Sequence, residues 1–459
     1  MDYREESDSL GTVRVPANAY YGAQTRRAAE NFGISNLAFH PLFLRSLALI
    51  KRCAARVNQS LGLIDEDRAD AVARAAQEVM DGRHTDQFPV DVFQTGSGTS
   101  TNMNVNEVIA TRANEILTGE RRTTRPVHPN DHVNRSQSTN DVFPSAIHMA
   151  ALSLVRGKLL PSLELLQRSL QDKAEEFADI RKVGRTHLQD AVIMTLGEEF
   201  SGYAAQMARA GERIRGAGER LAYLALGGTA VGNGLNAPPG FAGKTIAMIG
   251  EETGLAFAEA PNHFEAQGAC DTAVEAGAAL KTAAVGLIKI ADDVRWLASG
   301  PRCGLGEINL PELQPGSSIM PGKVNPVVPE AVILAGMQVA GNDATLGLCG
   351  QKANFELAAT LPLVAYTLLQ SIEILANGAD LMARKCIRGI TANRERCEGN
   401  IRRSLAVVTN LTPSIGYDRA AAIAARAHEE GRTIEEVALE ENIMPEQELR
   451  RVLYGESGG

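Results

Sequence analysis

Between Leu280 and Val294 the apolar residues recur at steps of four and three: Leu280, Ala284, Leu287, Ala291 and Val294. That spacing returns side chains to one stripe of an α-helix, and Val285 and Ile288 widen the stripe. A helix apolar over so much of its circumference, with Ala and Gly frequent, belongs among other helices whose backbones approach closely. Further long helical patterns run over residues 145–180, where Pro161 predicts a kink, and over 196–226, 329–346 and 355–385. Five such helices carry more apolar surface than one chain can cover, which predicts oligomerisation.

Around this helical centre the text changes. Residues 8–25 alternate Val13 and Val15 and are broken by Pro16 and Gly22, which predicts an extended arm. Residues 42–63 and 68–82 return to a helical period, and short helical patterns separated by Gly431 follow residue 400. With 459 residues and 44% hydrophobic content, the chain can bury a sizeable core in two to four domains. A net charge of −9 argues against nucleic acid as the main partner, which would require a clustered basic surface. The six cysteines lack CxxC spacing, so neither a zinc site nor a disulfide framework is indicated. With an acidic start and no apolar run near the ~20 residues a bilayer demands, a cytoplasmic chain without a membrane role is expected.

Four polar loops interrupt the helices: "TGSGTSTNMN" (95–104), "HPNDHVNRSQSTND" (128–141), "VGRTHLQDAV" (183–192) and "PGSSIMPGKVNP" (315–326). Ser, Thr and Asn beside helices are ordinarily caps. Caps do not require Lys323 amid glycines, the pair Thr186-His187, or the concentration of asparagines at 102, 104, 130, 134 and 140. Helix ends carry unpaired N–H groups that favour anions, so these loops are expected to meet there. One ammonium with many neutral donors suits a small dicarboxylate. His128 and His132 are four apart, but Pro129 lies between them and no HExxH context accompanies them, so no metal is expected. "GGTAVGNGLN" (227–236) lacks GxGxxG and is expected to serve as a tight turn or a helix-packing segment.

"GSSIMPGKVNP", with "GRTHLQDA" and "QSTND" in order, resembles the signature of the fumarase/aspartase superfamily, and the likeness covers nearly the whole chain. The resemblance implies a mainly α, three-domain fold: an N-terminal mostly helical domain (1–137), a long-helix bundle (138–392) and a small helical C-terminal domain (393–459). It implies that the bundle forms the core of a homotetramer whose active sites each draw loops from three subunits, with no cofactor. Carried over position by position, Ser317 is the base that takes a proton from the carbon beside a carboxylate. Lys323 and Asn325 hold the resulting aci-carboxylate; Ser97, Thr99, Ser138, Thr139 and Asn140 hold the dicarboxylate and leaving group. Thr186 and His187, with Glu330 as partner of His187, manage the proton of water or amine. His128, Asn130 and Asp131 match a second, peripheral dicarboxylate site of fumarases.

Within the superfamily two activities compete: hydration of fumarate to L-malate, and addition of ammonia to give aspartate. Ser97, "APNHFEA", "DVRWLASGPRCG" and the His128 run resemble class II fumarases; "AYYGAQT", "STND", "NPVVPE" and "ITAN" lean toward aspartases. Ser97 weighs toward fumarase, because its hydroxyl would hold a leaving water where aspartases have alanine. A structural relative without activity is the third possibility, opposed by the intact Ser317, Lys323, Asn325 and His187.

Overall fold

Residues 2–455 are described by the computed structural model. The fold is mainly α, and five two-stranded ladders supply its β-structure among those residues. The long patterns form helices: Leu196–Arg220, Asp271–Leu297, Val327–Gly350 and Leu361–Lys385. The pattern over 145–180 begins earlier, at Thr139, because Ser138 and Asp141 close a capping box that fixes the first turn. Thr139–Leu154 then passes through a π-helical turn, Val155–Leu159, into Leu160–Glu176. Only Leu160 separates Pro161 from that turn; a ring with no N–H to give and a register slip belong together at a helix irregularity.

The chain forms two compact units. One comprises the stretch up to Pro161 together with Ala210–Val285 and Ala335–Asn377; the other comprises Ser162–Arg209, Gly286–Leu334 and the stretch from Gly378 onward. Within the first unit helix meets helix through small residues. A Cβ on Gly277 would lie 2.6 Å from Leu346 Cδ1, so glycine allows Asp271–Leu297 and Val327–Gly350 to approach. Asn342 bridges from Val327–Gly350 to Gln370 and Ser371 on Leu361–Lys385, and Asp343 pairs with Lys281. Val327–Gly350 is long and apolar enough by length and composition to cross a membrane, although Glu330, Gln338, Asn342 and Asp343 interrupt its apolar run, as expected. Its Asn342 and Asp343 bonds are those of a helix in a polar-seamed bundle.

In the second unit, Ile401, Leu411, Ile423, Val437, Leu449 and Leu453 build a core shared by the C-terminal helices. These include Tyr417–Glu430 and Ile434–Glu440 as expected, and Glu446–Tyr454, which the sequence pattern did not mark.

Three expectations are corrected. The N-terminal arm is a β-hairpin, Tyr3–Asp8 paired with Gly11–Pro16, and residues from Ala23 already belong to a helix. The final long helix starts at Leu361 rather than residue 355, because Phe355 has φ 54° in the turn between Ala353–Asn354 and Leu357–Ala358. The 183–192 segment is no helix end. It is a hairpin, Arg181–Thr186 against Gln189–Thr195, whose two-residue turn His187–Leu188 has φ of 56° and 60°.

Candidate active site

In the first unit the helices Thr99–Thr118 and Thr139–Leu154 bring their N-termini side by side. Gly98 makes this possible: it adopts φ 82°, and a Cβ there would lie 2.2 Å from the Phe143 ring. Ser97 Oγ and Thr99 Oγ1 are 2.9 Å apart in one hydrogen bond, while Asn102 Nδ2 donates to Thr139 Oγ1 at 2.9 Å. Ser138 Oγ accepts from the Asn140 backbone N–H, and Asn140 Nδ2 donates to the Ala230 carbonyl at 2.8 Å. Five of the expected residues, Ser97, Thr99, Ser138, Thr139 and Asn140, therefore lie at two adjacent helix N-termini, where backbone dipoles favour an anion.

Asp141 holds this arrangement from beneath. It is fully buried; Oδ1 accepts from Ser138 N, and Oδ2 accepts from Gly227 N at 2.9 Å and Thr229 N at 3.0 Å. Burial pushes its carboxyl upward, against those three N–H donors and the charge of Lys51. The glycine-rich 227–236 segment is thus a turn, as expected, but a turn strapped to the helix end that carries Ser138–Asn140. Gly228 stands at a close approach there: an added Cβ would fall 1.9 Å from Gln267 Oε1 and 2.9 Å from His263 Cβ. Sequence inspection left Asp141 unassigned although it stands next to Asn140; its place three residues after Ser138 was the available signal.

In the second unit, Ser317 is half-buried beside Gly316 and Asn325 at the base of a loop exposed over residues 318–324. Its Oγ accepts from the backbone N–H of Met320 at 3.1 Å and of Ile319 at 3.3 Å. The loop is pinned at its base: Gly316 N donates to Lys323 O at 3.0 Å and Asn325 Nδ2 donates to Gly316 O at 2.7 Å. A Cβ on Gly316 would sit 2.2 Å from Lys323 O, so no other residue allows this closure. Lys323, Asn325 and Glu330 line a cleft of about 720 Å³ with Arg295, Trp296 and Asn309.

Thr186 and His187 are exposed on their hairpin. Arg185, just before them, makes a two-pronged bond to Glu307 at 2.7 and 3.0 Å, and the wholly buried Glu307 also receives Asn400 Nδ2 and lies 3.3 Å from Lys182 Nζ. Among the described residues His187 makes no hydrogen bond to Glu330, its expected partner. Asn130 and Asp131 lie on the π-helical turn Pro129–Val133, and His128 caps its start, Nδ1 accepting from the N–H of both. His132 Nδ1 accepts from His128 N, so both rings cap backbone. Arg68, Arg122 and Arg125 line the same open depression as His128 and Asp131.

Gly98 and the buried Asp141 thus fix the helix-start cluster, Gly316 fixes the serine loop, and the buried Glu307 fixes the hairpin that carries Thr186 and His187. The family described as Lyase matches residues 11–341, and that described as Fumarase C C-terminus matches residues 407–456. The class II fumarate hydratase of Nitrosomonas europaea is 54% identical over 437 residues, covering 95% of each chain. A class II fumarase from Schistosoma mansoni superposes with a TM-score of 0.95 at 39% identity, covering 98% of both chains. A fumarate lyase:delta crystallin from Brucella melitensis in native form gives 0.91 at 42% identity, covering 98% of this chain and 99% of that one. With its helical bundle, its glycine-closed serine loop and this likeness along its whole length, the chain belongs to the class II fumarate hydratase family of the fumarase/aspartase superfamily.

Proposed function

We propose that the protein catalyses the reversible hydration of fumarate to L-malate by anti addition and elimination through an aci-carboxylate intermediate. In the malate-to-fumarate direction Ser317 Oγ removes the proton beside a carboxylate. The charge that develops is met by Lys323 and Asn325, fixed donors at the place where negative charge grows. Ser97, Thr99, Ser138, Thr139 and Asn140 hold the dicarboxylate and the departing water. Thr186 and His187, with Glu330 of another copy of the chain facing His187, move that water's proton. The observation that carries this reading is the Ser317 loop: two backbone N–H groups aimed at one hydroxyl, with Lys323 and Asn325 closing the loop.

Purified protein is expected to consume fumarate in ammonium-free buffer and to form malate, followed by ultraviolet absorbance and product chromatography. Consumption that begins only on adding ammonium would replace water by ammonia as the nucleophile and make the chain an aspartase.

The active unit in this proposal is a cytoplasmic homotetramer with three subunits contributing to each site, each organised over 1–137, 138–392 and 393–459. Large apolar side chains exposed along the long helices support it: Val285 is 55% exposed, Leu334 68%, Met337 58% and Leu348 63%. Light scattering is expected to return four times the chain mass, and a fully active monomer at assay concentration would overturn shared sites. The depression lined by His128, Asp131 and three arginines, with Asn130 on the adjoining turn, is proposed as a second dicarboxylate site.

A further inference from the structure

Lys51 lies midway along the helix Pro41–Ser60 and is wholly buried, a rare place for an ammonium group. Its Nζ donates to Asn134 Oδ1 at 2.8 Å and to Gln137 Oε1 at 3.0 Å. A lysine ammonium facing two amides has only N–H to offer, so both amides are compelled to present their carbonyl oxygens. Asn134 Oδ1 also faces Asn102 Nδ2 at 3.4 Å and Asn106 Nδ2 at 3.3 Å, which are thereby obliged to turn NH₂ toward it. From that same nitrogen Asn102 donates to Thr139 Oγ1 at 2.9 Å.

A hydroxyl has one proton. Thr139 is 8% exposed and its oxygen is already an acceptor, and among the described residues no group accepts its proton. We infer that Lys51 is a positioning residue: acting through Asn134 and Asn102, it turns the Thr139 proton away from the interior so that it is donated to a substrate carboxylate. The inference rests on the substrate site proposed above. Burial lowers the Lys51 ammonium to about 7, with the Asp141 carboxylate opposing the shift. The ammonium has no lone pair and so fixes the direction of the chain; the neutral amine keeps two N–H groups for the same two oxygens but no longer forbids the reverse arrangement. Had the amides been free to flip, Asn102 would present its oxygen to Thr139 and draw the proton inward.

The test is a double-variant cycle on the full-length protein, read as kcat and KM for fumarate and malate, with mass and thermal melting as controls. Thr139→Val is expected to raise KM roughly tenfold or more while kcat changes little, the loss of one hydrogen bond to a charged group made equally in ground and transition states. Lys51→Met is expected to raise KM in the same sense and to add nothing in the Thr139→Val background. A wild-type KM in Thr139→Val would sink the placement of substrate at Thr139. A raised KM in Thr139→Val with either a wild-type KM in Lys51→Met or fully multiplying effects in the double variant would sink the role of Lys51 alone. If Lys51→Met does not fold, Asn102→Ala removes the same donor while leaving Lys51 paired with Asn134 and Gln137. It must show the same KM rise and the same absence of further effect in the Thr139→Val background, and independence there overturns the proposal.

Discussion

Ser317→Ala is expected to cut turnover by ~10²-fold or more while leaving assembly and melting temperature as they are. A serine hydroxyl is a poor base, because the alkoxide it must become is costly in water. The loop lowers that cost by geometry: the N–H groups of Ile319 and Met320 point at Oγ, and an oxygen that already receives two donors gains most from them when it is charged. Gly316 and Asn325 hold the loop base by a mutual closure that no side chain at 316 would allow, so the donors are in place before substrate arrives. Ser317 itself belongs to no core, and its removal leaves the Gly316, Lys323 and Asn325 bonds untouched. Steady-state rates in both directions, with circular dichroism as the fold control, give the answer; turnover within a factor of three of wild type would remove Ser317 from the chemistry.

The helices were legible because burial imposes a period. Leu280, Ala284, Leu287, Ala291 and Val294 are each at most 2% exposed, as their spacing predicts. The helix start at Ser138 carried a related signal that the sequence reading passed over: Ser138 and Asp141 stand at the spacing of a capping box. What else escaped was set by long-range geometry. Lys51 reads as one more polar residue in a helical text, and nothing local says that it faces Asn134 and Gln137, more than eighty positions away. The left-handed turn at His187–Leu188 contains no glycine or asparagine to announce it, so a hairpin looked like a loop between helices. Phe355, likewise left-handed and non-glycine, made a turn look like the start of a helix.

Glu307→Leu is expected to destabilise the second unit by about 3–5 kcal/mol in denaturant unfolding, the range for removing one partner of a buried ion pair. Glu307 is wholly buried and compensates two cations at once, Arg185 through two bonds and Lys182 at 3.3 Å; Lys182 is itself 1% exposed. Lys182 keeps Glu199 at 2.8 Å in the variant, but Arg185 loses its carboxylate, and with it the tether of the hairpin that carries Thr186 and His187. Turnover is therefore expected to fall together with stability, whereas a surface ion pair would change neither by much. Acid sensitivity gives an independent readout. Burial pushes the Glu307 carboxyl up, but the Arg185 bonds and the charges of Lys182 and Arg185 outweigh it and hold the group below the ordinary glutamate range. A folded-state value depressed below the unfolded one stabilises the protein fully above the ordinary value of about 4.3, and the contribution is lost as pH falls through the folded value. Glu307→Gln keeps the shape without the charge, so its unfolding free energy should fall less steeply than that of wild type below about pH 4. Equal acid slopes, or a Glu307→Leu protein as stable as wild type, would show that the paired cations are held by something other than this carboxylate.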